Sequence, residues 1–338
     1  MSDGNPASYL YLTGGRQKTF RKNEWAQYGK AIILGFDVNS GSMKTEVEYT
    51  SPAEACPVED TSFVFKAATL ADTRLYACSN TEIIVYKLPD FQQVGYLSLP
   101  WFNDVHHVYP KPDGNLMIVS TGLDMVGEID CKGAAVRKWA VLGGDPWARF
   151  DPQVDYRRVA STKPHASHPN FVQVIGDDVW VTRFSQKDFV CLTQPGRRVE
   201  FGGFPHDGVR YNGRIYFTTV NGYVYIVDEL HMTIEDEIDL NIIDGRDANL
   251  GWVRSILPLD GNLAWVGFSR FRPTKLAENL SWMRHGFKQF YLPTRLGLFD
   301  LSRRKQLREI DLEPHGMNAV FSILQAPEIS SDGGVKAR

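Results

Sequence analysis

The stretch STKPHASHPNFVQV, Ser161 to Val174, sets His165, His168 and Asn170 directly before an alternating apolar run. Similar groupings recur in NDVHHV (Asp104, His106, His107), FPHDGV (His206, Asp207) and EPHGMNAV (Glu313, His315, Asn318). Six of the eight histidines fall in these four segments. Imidazole with carboxylate and amide oxygen is a donor set for a divalent cation. Nitrogen donors suit Zn, Fe, Mn or Cu, and oxygen-rich sets suit Ca or Mg. Histidine also accepts and donates protons near neutral pH. The expected ligands of a divalent metal ion (Ca, Zn, Fe or Mn) are His106, His168, Asn170, His206, Asp207 and His315. His107 and Asp104 are candidate proton carriers. The structural alternative is that polar residues at strand starts satisfy backbone groups or line a wet channel.

Such residues converge only if the surrounding elements bring them together. Helical periodicity is almost absent, and short alternating segments between turn residues dominate, which predicts an all-β protein. VRYNGRIYFTTVNGYVYIVDE, from Val209 to Glu229, reads strand, Asn-Gly turn, strand, Asn-Gly turn, strand. Similar layouts begin at Val64, Val108, Val172, Val209, Ile256 and Val320. Most of these spacings lie near the ~40–50 residues of a four-stranded propeller blade. The last unit lacks outer strands, and SYLYLTGG, AIILGFDV and EVEYTS near the N-terminus can supply them. We therefore expect a six-bladed β-propeller closed by N- and C-terminal strands, with seven blades as the alternative. One domain would span 1–338, with inserted loops at 142–167 and 271–293 over one face.

Two residues before each repeat start stand Ser62, His106, Asn170, Asp207, Arg254 and Asn318, all polar. At the start of innermost strands they would ring the channel mouth. The first insertion carries Trp147 and Arg149, which with Asn318 are candidate substrate contacts. The second is basic and aromatic, and its Lys275–His285 stretch has the best helical character in the chain. Arg183 and Arg254, by strand position nearer the mouth, are candidate groups for an anionic part of a substrate.

The chain has 338 residues and a net charge of −3, which gives no footprint for nucleic acid or an anionic membrane. No run of about 18 apolar residues predicts a membrane span. The N-terminal residues lack a secretory pattern. Cys56, Cys78, Cys131 and Cys191 lack metal-like spacing and read as thiols of a reducing compartment, so a cytoplasmic protein is expected. P-loop, dinucleotide, HExxH and GxSxG motifs are missing.

HPNFVQVIGDDVWV and PHDGVRYNGRIYFTT resemble the mouth strands of the gluconolactonase, regucalcin and strictosidine-synthase-like six-bladed propellers. The resemblance implies a divalent cation held by an Asn and an Asp, here Asn170 and Asp207, with a Glu from another blade, for which Glu59 is the nearest candidate. WFNDV, with Asn103 and Asp104, looks like that group's FND segment. VGFSRFRP, RLGLFDLSRRKQLREIDL and AVFSIL are similar to the C-terminal part of an uncharacterised bacterial propeller family. The expected function is a metal-dependent enzyme acting on a small organic substrate, by metal-assisted hydrolysis, lyase or isomerase chemistry. The alternatives are a non-catalytic propeller binding a protein or glycan, and an oxidative enzyme with His-ligated iron or copper.

Overall fold

The hairpin Pro205–Tyr211 to Arg214–Thr219 turns through Asn212 and Gly213, both at positive φ (49° and 73°). This is the tight turn that the Asn-Gly pair predicts. The second Asn-Gly behaves differently. Val220, Asn221 and Gly222 form a three-residue loop in which only Gly222 has positive φ, because Thr219 pairs with Tyr223. The computed structural model describes residues 8–18, 27–246, 248–271 and 292–327.

The strands form six four-stranded antiparallel sheets. Blade 1 contains β4 (Ala68–Ala71), β5 (Arg74–Cys78), β6 (Ile83–Lys87) and β7 (Gln92–Leu97). Blade 2 contains β8 (Val105–Pro110), β9 (Leu116–Ser120), β10 (Met125–Ile129) and β11 (Ala135–Ala140). Blade 3 runs from β12 (Pro169–Ile175) through β13 (Asp178–Arg183) and β14 (Asp188–Cys191) to β15 (Arg198–Glu200). Blade 4 runs from β16 (Pro205–Tyr211) through β17 (Arg214–Thr219) and β18 (Tyr223–Asp228) to β19 (Thr233–Asp239). Blade 5 contains β20 (Trp252–Pro258), β21 (Leu263–Ser269), β22 (Arg295–Asp300) and β23 (Lys305–Asp311). Blade 6 joins the chain ends. Its innermost strand β24 (Ala319–Gln325) pairs with β1 (Tyr9–Gln17), followed by β2 (Tyr28–Asp37) and β3 (Met43–Tyr49).

This is the expected six-bladed ring, with both chain ends in one sheet. Six apolar clusters fill the six gaps between adjacent blades. Cys78 and Ile83 meet Val105 and Ile118 between blades 1 and 2. Met117 and Val119 meet Val172 and Val181 between blades 2 and 3. Trp180 and Phe189 meet Phe217 and Tyr225 next, and Val224 meets Val253 and Ile256 after that. Trp265 and Leu296 of blade 5 pack on Leu10, Ile32 and Phe36 of blade 6, whose Tyr11 and Ile33 meet Phe65 and Leu75 of blade 1. Middle strands are buried on both faces, as in β22, while outer strands such as β23 alternate with solvent.

The first insertion, 142–167, is ordered by contacts to blade 2. Asn103 donates from Nδ2 to the carbonyls of Tyr156 and Val159, both at 2.8 Å. The second insertion, with the Lys275–His285 stretch, lies almost wholly outside the described residues.

Candidate metal centre at the channel mouth

Five of the six innermost strands skip one residue near their start. The register passes over His106 in β8, Asn170 in β12, Gly208 in β16, Arg254 in β20 and Phe321 in β24. Such a bulge frees one residue from the ladder and re-aims its side chain. Gly208 takes φ 151°, and a Cβ there would lie 3.2 Å from Phe217. Just ahead of the bulges, Asp104 and His168 adopt left-handed backbone (φ 53° and 57°). Asp and His tolerate that region better than most residues.

A cavity of about 590 Å³ opens at this mouth. Its lining includes Lys66, Asp104, His106, His165, His168, His206 and Arg254, with Phe184, Val220, Trp252 and Phe321. Asp104, His165 and His168 form a three-residue cluster whose ligand atoms lie within 4.8 Å of one another. The Nδ1 atoms of His165 and His168 are 2.9 Å apart. A metal with bonds of about 2.0–2.2 Å needs donors roughly 3–4 Å apart, so small side-chain adjustments would close the set around an ion. The ring of His106 lies 4.9 Å from His168 and 6.1 Å from His206, centroid to centroid.

Two groups hold the cluster. Asp124 accepts from the backbone N–H groups of Ala166 (2.8 Å), Ser167 (2.9 Å) and His168 (2.9 Å), fixing the segment that carries both histidines. Lys66, almost wholly buried, forms an ion pair with Asp104, and its Nζ lies 3.4 Å from His106 Nδ1. The His106 Nδ1 also lies 2.7 Å from the Asp104 carbonyl, so a proton on Nδ1 donates there and leaves the lone pair on Nε2.

Electrostatics keep the donors ready for a cation. Burial pushes His106 well below its ordinary value, and the Lys66 charge pushes it further. Burial likewise lowers His165, and lowers His168 strongly with help from His106 and His165. These imidazoles are therefore neutral at pH 7, the form that binds metal. Burial alone would raise Asp104, but the Lys66 ammonium holds it well below the usual carboxylate range.

The other residues singled out in the sequence divide into three groups. His206 lines the cavity and Asp207 supports it, with His206 Nδ1 3.0 Å from Asp207 Oδ1 and Thr218 Oγ1 donating to Oδ2 at 2.7 Å. Burial raises Asp207, partly offset by its hydrogen bond with His206. Asn170 and His107 are buried in the blades. Asn170 donates to the Pro205 carbonyl at 3.0 Å. His107 stacks on Phe171 at 3.6 Å, accepts from Val172 N–H at 3.2 Å, and sits 3.0 Å from Thr69 Oγ1.

The third group lies away from the cavity lining. Arg183 forms a two-pronged pair with Asp188, at 2.8 and 2.6 Å. Arg149 pairs with Asp124, so it braces the histidine segment from behind. Trp147 packs with the cluster between blades 1 and 2. Asn318 accepts from Gln17 N–H at 2.8 Å. His315 is exposed beside Arg16 and Met43, in a separate depression. Glu59 is not among the cavity-lining residues.

Lys66, Asp124 and the aromatic wall carry weaker sequence signals. Lys66 is the lone charge in VFKAATL, which is a usable sign of a buried, paired ion. Asp124 sits in an ordinary-looking turn, TGLDMVG, and nothing local marks its long-range role.

No protein-family model matches the chain, and no curated protein matches it. Among solved structures, a protein of unknown function from Bacteroides caccae is similar, with a TM-score of 0.59 and 14% identity over 94% of this chain and 98% of that one. A chain of a nidogen/laminin complex is similar at a TM-score of 0.53 and 9% identity, over 93% of this chain and 97% of that one. A virginiamycin B lyase from Staphylococcus aureus, inactivated and with quinupristin, reaches a TM-score of 0.48 at 13% identity, over 90% and 89% of the two chains. These likenesses concern the fold alone.

Proposed function

We propose that this protein is a metal-dependent enzyme acting on a small organic substrate at the channel mouth. The observation that carries this reading is the convergence of Asp104, His165 and His168 in one cavity of about 590 Å³, a size suited to a small ligand. Two histidines and one carboxylate leave coordination positions open for substrate or water on a Zn, Mn or Fe ion. A bound ion would supply Lewis acidity, which suits hydrolysis, lyase or isomerase chemistry. Neither residue of the Asn170 and Asp207 pair suggested by the gluconolactonase-like resemblance lines the cavity, and Asp207 is engaged with His206 and Thr218, which favours the histidine set over an oxygen-ligated calcium.

His206 is the residue we assign to moving a proton. Asp207 accepts from its Nδ1, which leaves Nε2 basic and orients the ring. Lys66 balances the Asp104 charge before a metal arrives. The four cysteines are unpaired, in keeping with a reducing cytoplasmic setting.

The test strips the protein with a chelator and restores Zn²⁺, Mn²⁺ or Fe²⁺ singly before assaying lactones, esters, hydroxy acids and 2-oxo acids. We expect turnover that returns with one metal, is lost in His168→Ala, and falls at least 100-fold in kcat in His206→Gln while that variant keeps its metal. Turnover indifferent to metal would contradict the reading. Metal-free capture of a protein or glycan without turnover would favour the non-catalytic alternative.

A further inference from the structure

The mouth cavity has two unlike sides. The histidines and Asp104 line one part, and Val220, Trp252 and Phe321 line the part around Arg254, with Phe184 reaching from the Val220 and Trp252 cluster to the His168 ring at 5.4 Å. The Arg254 guanidinium lies 4.4 Å from the Trp252 ring centroid and 5.0 Å from that of Phe321. Stacking engages the flat faces of a guanidinium, while its N–H donors point edgewise in the plane. Arg254 is only 7% exposed, so a charge interaction there is screened less than at the surface.

The two sides join continuously. His206 lies 6.1 Å from His106 on one hand and 6.5 Å from Phe321 on the other, between ring centroids. Among the described residues, the lining contains three cations, Lys66, Lys163 and Arg254, against two carboxylates, Asp60 and Asp104. Lys66 is paired with Asp104. The Arg254 charge also helps stabilise the buried Asp207 carboxylate. A guanidinium set against two rings of the apolar wall favours an anion at the aromatic end of the cavity.

We propose that the substrate is a small organic carboxylate with an apolar, preferably aromatic, body. Its carboxylate meets the edge of Arg254, its body lies on Phe184, Val220, Trp252 and Phe321, and its reacting end points toward the histidines. This deepens the enzyme reading above and rests on it for the reacting end, but the carboxylate subsite binds without a metal.

The test is calorimetric titration of chelator-stripped protein with phenylacetate and with its neutral analogue phenylacetamide. Phenylacetate should bind at least 10-fold more tightly than the amide. Arg254→Met should reduce phenylacetate to the level of the amide, and Arg254→Lys should fall between. Equal binding of the two ligands by the unaltered protein would overturn the proposal, and needs no variant to fold. Full phenylacetate binding by a folded Arg254→Met would overturn it too. If phenylacetate binds only after metal is restored and ignores Arg254→Met, the carboxylate belongs on the metal. The Arg254 subsite then fails while the metal reading stands.

Discussion

Lys66 places a buried ammonium on the carboxylate that a metal would need. The two cations compete for Asp104, so Lys66→Met should raise metal affinity about 10-fold. It should also lower metal-free stability by about 1–3 kcal/mol, because Asp104 loses its buried partner. Calorimetric metal titration and thermal unfolding with and without metal measure both effects. Weaker metal binding in that variant would mean that Lys66 supports the ion. Asp124 acts at one remove, through three backbone N–H groups. Asp124→Asn should keep the fold and cost 10–100-fold in metal affinity, the usual scale for a group that orients ligands. At this scale the sequence was partly legible. Histidines beside Asp104 were visible as a chemical group. Asp124 was not, because the backbone N–H groups it holds lie more than 40 positions away along the chain.

The innermost strands explain which residues meet and which do not. Alternation and turn residues make the strands readable, but one skipped residue changes which side chain faces the channel. His106, Asn170 and Arg254 are skipped as their place in the repeat suggests, whereas β16 skips Gly208 beside Asp207. In β24 the skipped residue is Phe321, three positions beyond Asn318. In blade 1 the strand reaches the mouth through Lys66, whose N–H donates to the Cys78 carbonyl at 2.9 Å, while Ser62 lies in the preceding loop. Sequence spacing cannot register such offsets, since loop length and bulge position vary independently. Buried histidines in these strands also make stability acid-sensitive. Burial lowers His107 to about 3, whereas in the unfolded chain it titrates near 6.5. Its folded value is depressed, so the unfolded chain takes the proton first as pH falls. The stability it confers is present above about 6.5 and is lost progressively toward 3. His107→Gln should flatten the fall in urea-unfolding stability between pH 6 and 4 by up to about 1.4 kcal/mol per pH unit. An unchanged slope would assign the acid sensitivity to other groups.

For the whole molecule, closure of the ring is the feature that lets one cavity collect residues from several blades. Clusters between every adjacent pair of blades make the mouth a property of the complete circle. Blade 6 is completed by β24 beside β1, so deleting β24 would leave β1 an open edge. Removal of residues 319–327 should abolish cooperative unfolding and promote aggregation, measured by circular dichroism and light scattering. A monomeric, cooperatively folding product would contradict this account of closure. The closure was legible because strand-like segments near one end matched a deficit at the other. The shape of the cavity was not legible, since it depends on bulges and on packing between distant blades.

Elemental analysis tests the central claim most directly, on protein purified without a histidine tag, beside His168→Ala, Asp104→Asn and His206→Ala. The account predicts near-stoichiometric Zn, Mn or Fe in the unaltered protein, lost in the first two variants and kept in the third. Calcium unaffected by any change would contradict the histidine-ligated centre. So would absence of metal from the unaltered protein even after dialysis against each ion.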